Sequence, residues 1–174
     1  MLRNLLDPIV EHVADHGVRA RVLNATSGSV ASANATAAAA MIATERDAEL
    51  IVVHVRAPEV MRVGRLAPTI VHQQRLSDPH ANGVLSTARQ VAWAHGALAR
   101  VILISGDPGP AIVSLARELD VELVVIGATP SRAPAAIAAR TRCRVQRDSP
   151  CRVRVVVLAA PTPARSSGQT LPAA

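Results

Sequence analysis

The 174-residue chain contains no lysine, no phenylalanine and no tyrosine, and its one tryptophan is Trp93. Each absence excludes something. Without lysine there is no phosphate-binding loop of the usual Gly-Lys-Ser/Thr kind, and no ammonium group to steady a transferring phosphate. With Trp93 alone there is no row of aromatic side chains on which single-stranded bases could stack, which argues against nucleic acid as a partner. Two cysteines, Cys143 and Cys151, form neither a disulfide framework nor a four-ligand zinc site. No apolar run approaches the ~20 residues needed to span a bilayer. The opening MLRNLLDPIVEHV carries Asp7 and Glu11 where a signal peptide would be apolar. The expectation is a soluble, cytoplasmic protein with no membrane insertion.

What the chain does have is aliphatic bulk. Hydrophobic residues make up 49% of it, enough to bury a core built from Val, Leu, Ile and Ala. The length suits one domain. The formal charge is +6, all of the positive part from arginine. Arg140, Arg142, Arg144, Arg147, Arg152 and Arg154 crowd one stretch. Such a cluster is a solvated face or a surface for an acidic partner.

The organising stretch is Val121 to Val155, VELVVIGATPSRAPAAIAARTRCRVQRDSPCRVRV. Leu123 to Ile126, closed by Gly127, reads as a strand buried on both faces. Ala128 to Ala133 is a small-residue loop, and Pro134 opens a helix that gives out in the arginine tract before Pro150. Val153 to Leu158 is a second strand. Strand, helix, strand is a βαβ unit, which presents ligands at the strand's C-terminal end.

The remainder fits the same plan. Leu5 to His16 has helical spacing, ended by Gly17. Strands are expected at Arg19–Ala25, Leu50–Val55 and Val101–Ile104, and helices at Ala31–Thr44, Ala81–His95 and Pro110–Leu119. Ser29 or Ser32 suits the cap of the first of these helices. Arg56 to Pro79 reads as a long connection. The predicted organisation is an N-terminal helix (1–18), one α/β domain (19–160) and a disordered Pro/Ser/Thr/Ala-rich tail (161–174). The expected fold is a doubly wound, open, parallel five-stranded sheet of Rossmann type, with helices on both faces. There is also an internal echo: VRARVLNATSG resembles ALARVILISGD, and AELIVVHV resembles VELVVIGA.

These residues resemble the universal stress protein family, a branch of the adenine-nucleotide alpha-hydrolase-like folds. The likeness runs from about Arg21 to Val157. It rests on VLNATSGS, LIVVHV, SGDPGPAIVSLARELDVELVVIGA and SPCRVRVVV, which follow the family's first strand, second strand, third-strand-to-fourth-strand unit and last strand. The resemblance implies a regulatory stress-response module without catalysis. It acts through a homodimer formed along the last strand and through contacts with a protein partner.

Some members bind ATP, using Gly, two residues, Gly, nine residues, Gly-Ser/Thr after the fourth strand. Here the spacing holds while the residues change. Gly127 and Thr141 match, but Pro130 and Arg140 stand at the second and third glycines. Pro130 has no N–H and a fixed φ, and Arg140 adds bulk. The first-strand Asp of the binders is Ser27 here. The expectation is no cofactor, with ATP as the alternative. If a nucleotide binds, the resemblance places it at Ala25, Thr26, Ser27, Val55, Gly127, Thr129 and Thr141, with Arg132 and Arg140 as added charge. A remote alternative is an ATP-pyrophosphatase-type ligase. Its Ser-Gly-Gly-x-Asp-Ser motif is met by Ser27-Gly28-Ser29-Val30-Ala31-Ser32 without the second Gly or the Asp.

No G-x-S-x-G nucleophile elbow is present. His54 is expected as a packed, hydrogen-bonded histidine, Asp107 as a turn former, and Cys151 as a small buried side chain at a strand start. No catalytic residue and no metal site are expected.

Overall fold

The structure, a computed structural model, describes residues 19–56, 78–129 and 136–158. The expected helix at 1–18, most of the Arg56–Pro79 connection, the Pro134 helix start and the tail from Pro161 lie outside the described residues. Among the described residues nine elements alternate: β1 (Arg21–Thr26), α1 (Val30–Glu45), β2 (Glu49–Arg56), α2 (Pro79–Ala94), β3 (Ala99–Ser105), α3 (Pro108–Glu118), β4 (Leu123–Ala128), α4 (Ala136–Asp148) and β5 (Arg152–Val157). Every expected strand and helix in the described residues is present, with ends moved by at most two residues. α4 gives out at Asp148, within the arginine-rich stretch and before Pro150, as expected. Arginine is a good helix former, so the tract sustains the helix that far.

All strand pairs are parallel, in the order β3-β2-β1-β4-β5. The first strand is thus the middle one, and the order reverses between β1 and β4. Strand alternation sends successive side chains to opposite faces. Val22, Leu50, Val52, Leu123 and Val125 pack with α1 and α2 on one face. Leu23, Ile51, Val53, Val124 and Ile126 pack with α3 and α4 on the other. The helix faces are largely alanine: Ala35, Ala39, Ala40 and Ala43 on α1, and Ala88 and Ala92 on α2. Small side chains let these helices lie close to a flat aliphatic sheet without aromatic filler.

Three helices hand over to the next strand through the same device. After α1, α2 and α3 the chain turns through one left-handed residue: Asp47 (φ 49°), Gly96 (φ 79°) and Asp120 (φ 49°). The residue after it returns a hydrogen bond to the helix: Ala48 N to Ala43 O, Ala97 N to Ala92 O, and Val121 N to Ala116 O. This is the Schellman arrangement, which satisfies otherwise orphaned carbonyls. Two of the three use Asp where glycine is the unstrained choice.

At the strands' N-terminal edge, Glu49 accepts from Arg21 (3.2 Å) and faces Arg100 (3.7 Å). Arg21 also donates to the Leu119 carbonyl at 2.9 Å. The centre of the sheet carries a polar side chain, Asn24, with no exposed surface. Its amide donates to Val125 O of β4 at 3.1 Å, and its oxygen accepts from Thr36 of α1 at 2.7 Å. Both ends being satisfied, Asn24 ties β1 to β4 and α1 at one register.

Candidate functional site

The crevice where the strand order reverses is the expected ligand position in such a sheet. Ala25 and Thr26 end β1, Ser27 begins the turn after it, Val55 lies near the end of β2, Gly127 lies near the end of β4 and Thr129 just after it. These six expected positions gather at one edge of three neighbouring strands. They divide between the faces: Ala25 and Val55 belong to the α3/α4 side, whereas Gly127 is covered from the α1 side. Ser27 and Thr129 are exposed.

Gly127 is a packing position. A methyl group there would come within 2.6 Å of the Ala31 carbonyl carbon and 2.8 Å of Ser32 N, and nearer still to the Ala31 oxygen. The first turn of α1 therefore rests directly on β4, and only glycine permits that approach.

Arg140 and Thr141 do not join the other candidates. Both lie inside α4, and Thr141 packs beside α3: a methyl on Gly109 would lie 3.8 Å from Thr141 Cα. Their backbone N–H groups fall in the helical ladder, whose first residue is Ala136. From Arg140 onward those groups are taken by carbonyls one turn back. Arg132 and Pro130 lie outside the described residues.

The turn after β1 is built from serines and glycine. Gly28 takes φ 80°. Ser29 caps α1, its hydroxyl accepting from Ser32 N at 3.2 Å, as one of the two expected serines should. Ser27 and Ser29 hydroxyls lie 3.1 Å apart. A polar chain leads inward: Thr26 Oγ1 donates to Ser32 Oγ (3.2 Å), Ser32 Oγ to Ser29 O (2.8 Å), and Thr36 to Asn24.

Beside this turn a cleft of about 350 Å³ opens between the N-terminal half of α1 and the facing side of α2. Its lining includes Thr26, Ser29, Ser32, Thr36, His80 and Thr87. The cleft was not among the expected features. The signal for it was present in the sequence as Ser29, Ser32 and Thr36, spaced to share one face of a helix.

His54 fulfils its expectation: its Nδ1 lies 2.9 Å from the Thr26 carbonyl. A carbonyl only accepts, so the proton is on Nδ1. The His80 ring, at the start of α2, stands edge-on to it at 6.5 Å between centroids. Arg56 at the end of β2 reaches Asp78 (3.7 Å) and Ser105 Oγ (3.4 Å). Asp78 caps α2 through Ala81 N at 3.0 Å, and that hydrogen bond holds its carboxyl below the ordinary carboxylate range, with Arg56 adding to the effect. Asp107 precedes α3 without a side-chain capping bond, and Cys151 is half-buried against the α3/α4 core. Among the described residues no three His, Cys, Asp or Glu side chains are grouped to hold a metal ion. No described helix is long and apolar enough to cross a membrane.

Fold and crevice together define a five-stranded Rossmann-like protein whose switch point is ringed by small and hydroxyl-bearing residues. The sequence model of the universal stress protein family matches residues 19–157, and the chain belongs to that family. It is 32% identical over 114 residues to universal stress protein YxiE of Bacillus subtilis, covering 62% of this chain and 77% of that one. The fold is similar to universal stress protein UspA from Lactobacillus plantarum (TM-score 0.64, 22% identity, 81% of this chain and 99% of the other). It is also similar to the universal stress protein from Archaeoglobus fulgidus in complex with dAMP (TM-score 0.59, 21% identity, 80% and 98%) and to a universal stress protein in complex with cAMP (TM-score 0.58, 23% identity, 80% and 98%). The family is in general non-catalytic, and its members commonly form homodimers.

Proposed function

We propose that this chain is a regulatory module of universal stress type that acts without catalysis, through a homodimer along β5 and through contacts with a protein partner. The observation that carries this reading is the position of Arg140 and Thr141 inside α4. In a phosphate-binding loop those positions offer free backbone N–H groups. Here the helix already uses them. Covering of Gly127 by the first turn of α1 supports the same reading, because it occupies the space on that side of the glycine.

Homodimerisation draws support from the family and from the sheet order, which leaves β5 at an edge with Val157 exposed. An edge strand offers unpaired backbone groups to a second copy. No catalytic residue is assigned, and the reading includes no resident cofactor and a cytoplasmic location.

A second reading, adenine-nucleotide binding, is favoured by the likeness to structures in complex with dAMP and cAMP. It would use Ala25, Thr26, Ser27, Val55, Gly127 and Thr129, with Arg132, Arg140 and Thr141 as further candidates. Isothermal titration with ATP and Mg²⁺, on protein checked for co-purified nucleotide, separates the two. The expected result is no heat of binding at millimolar ATP, with a dimer mass by light scattering. Micromolar binding would overturn the first reading in favour of the second.

A further inference from the structure

The α3/α4 side carries a feature that neither the crevice nor β5 explains. α4 bears Arg140, Arg142, Arg144 and Arg147, and α3 bears Arg117. The two helices supply only Glu118 and Asp148 as acids. Helical spacing puts Arg140, Arg144 and Arg147 on one stripe. Beside it is a groove of about 460 Å³, bordered by Pro110, Val113, Ser114, Arg117, Arg144 and Arg147, with Asp148 at its foot.

The arginines are positioned rather than free. Gly109 gives the Arg144 stem a seat on α3: a methyl there would meet Arg144 Cγ at 2.9 Å. Arg144 pairs with Asp148, and Arg147 reaches the same carboxylate at 2.8 Å. Arg117 donates to the Asp148 backbone carbonyl at 3.0 Å. The hydrogen bond from Arg147 keeps the Asp148 carboxyl below the ordinary range, so it remains charged. One carboxylate is thus shared between two guanidinium groups, a third holds the same residue's backbone carbonyl, and Arg140, a turn further up, is exposed. The stripe from Arg140 to Arg147 spans roughly 10 Å of helix. Its lower end lies at the C-termini of α3 and α4, where helix dipoles oppose a compact anion. An extended run of carboxylates along the stripe fits this field better than one ion at its foot.

We propose that the α3/α4 groove is a docking surface for an acidic peptide segment of a partner protein, with Arg144, Arg147 and Arg117 as its main contacts. Planar guanidinium forks suit paired carboxylates. The proposal rests on the partner-binding reading above and names the partner's chemistry.

The test is fluorescence anisotropy with a labelled ten-residue glutamate/aspartate-rich peptide, at low and high salt, on the full chain. Arg144→Gln with Arg147→Gln is expected to weaken binding at least tenfold. Arg46→Gln with Arg89→Gln, exposed on the α1/α2 side, is expected to change it less than twofold. Asp148→Asn, which frees the arginines from their internal carboxylate, is expected to tighten binding severalfold, a gain that misfolding cannot mimic. Equal losses from the α4 pair and the Arg46/Arg89 pair would mean diffuse charge alone and overturn the proposal. So would no binding, or tighter binding of a single-stranded oligonucleotide than of the peptide. None of these outcomes depends on whether ATP binds or on the dimer mass, so the earlier reading is judged separately.

Discussion

Gly127→Ala is the most informative single change, because it asks whether this glycine serves packing. The new methyl would sit 2.6 Å from the Ala31 carbonyl carbon and 2.8 Å from Ser32 N. Ordinary van der Waals contact begins at about 3.4 Å, so β4 and the first turn of α1 must part by close to an ångström. Every obstructing atom is backbone, and no side chain can rotate away. Overpacking costs about 1–3 kcal/mol where neighbours yield. Here the upper end applies, about 3 kcal/mol, and for a domain of this size the melting temperature falls by roughly 10 °C. Far-UV circular dichroism with urea is the suitable assay, because the only tryptophan is 71% exposed on α2 and reports little on the core. Gly83→Ala is the matched control. Gly83 lies within α2 with nothing within 4 Å of a built methyl, so the same substitution should stabilise by about 0.5–1 kcal/mol. A loss below about 1 kcal/mol for Gly127→Ala, or a comparable loss at Gly83, would refute the packing role.

Three further outcomes are expected. Asp47→Gly and Asp120→Gly, each at a left-handed helix end, should raise stability by roughly 0.5–1 kcal/mol apiece, read as a higher urea midpoint at unchanged slope. Asn24→Ala should cost about 2–3 kcal/mol and Thr36→Val about 1, and the double variant should lose less than their sum, because the two side chains share a 2.7 Å hydrogen bond; strict additivity would contradict the coupling. The Asp78 carboxyl is depressed in the folded state, so its stabilising effect is present above the ordinary carboxylate range and lost as pH falls through the folded value. The stability gap between the natural protein and Asp78→Asn should therefore close below about pH 4, and a gap unchanged from pH 7 to pH 3 would argue against the cap.

Much of the fold was legible because its strands are short aliphatic runs closed by Ser, Gly or Pro. LVVI before Gly127 admits little but a doubly covered strand. The internal echo was real at the level of architecture: β1–α1–β2 and β3–α3–β4 repeat the same strand–helix–strand plan. Less legible were features that depend on two distant elements meeting. Nothing near Gly127 in sequence says that Ala31 will lie on it. Matching Arg140 and Thr141 by spacing counted them with the nucleotide positions, whereas both lie inside α4, with Thr141 beside Gly109. The His54–His80 approach and the α1/α2 cleft need the sheet order to become visible. Ser29 and Ser32 read as capping chemistry, and only together with Thr36 do they show a polar face.

Sheet order also has a kinetic side. Asn24 waits for Val125, its partner 101 residues later in the chain. During synthesis β1 can pair with β2 as soon as α1 has formed, while its other edge stays open until β4 emerges. Leu23 and Val22, both fully covered in the finished protein, spend that interval beside an incomplete sheet. Long-range parallel pairing of this kind slows folding and lengthens exposure to wrong partners. The central position of the first strand thus makes the nascent chain vulnerable over most of its own translation.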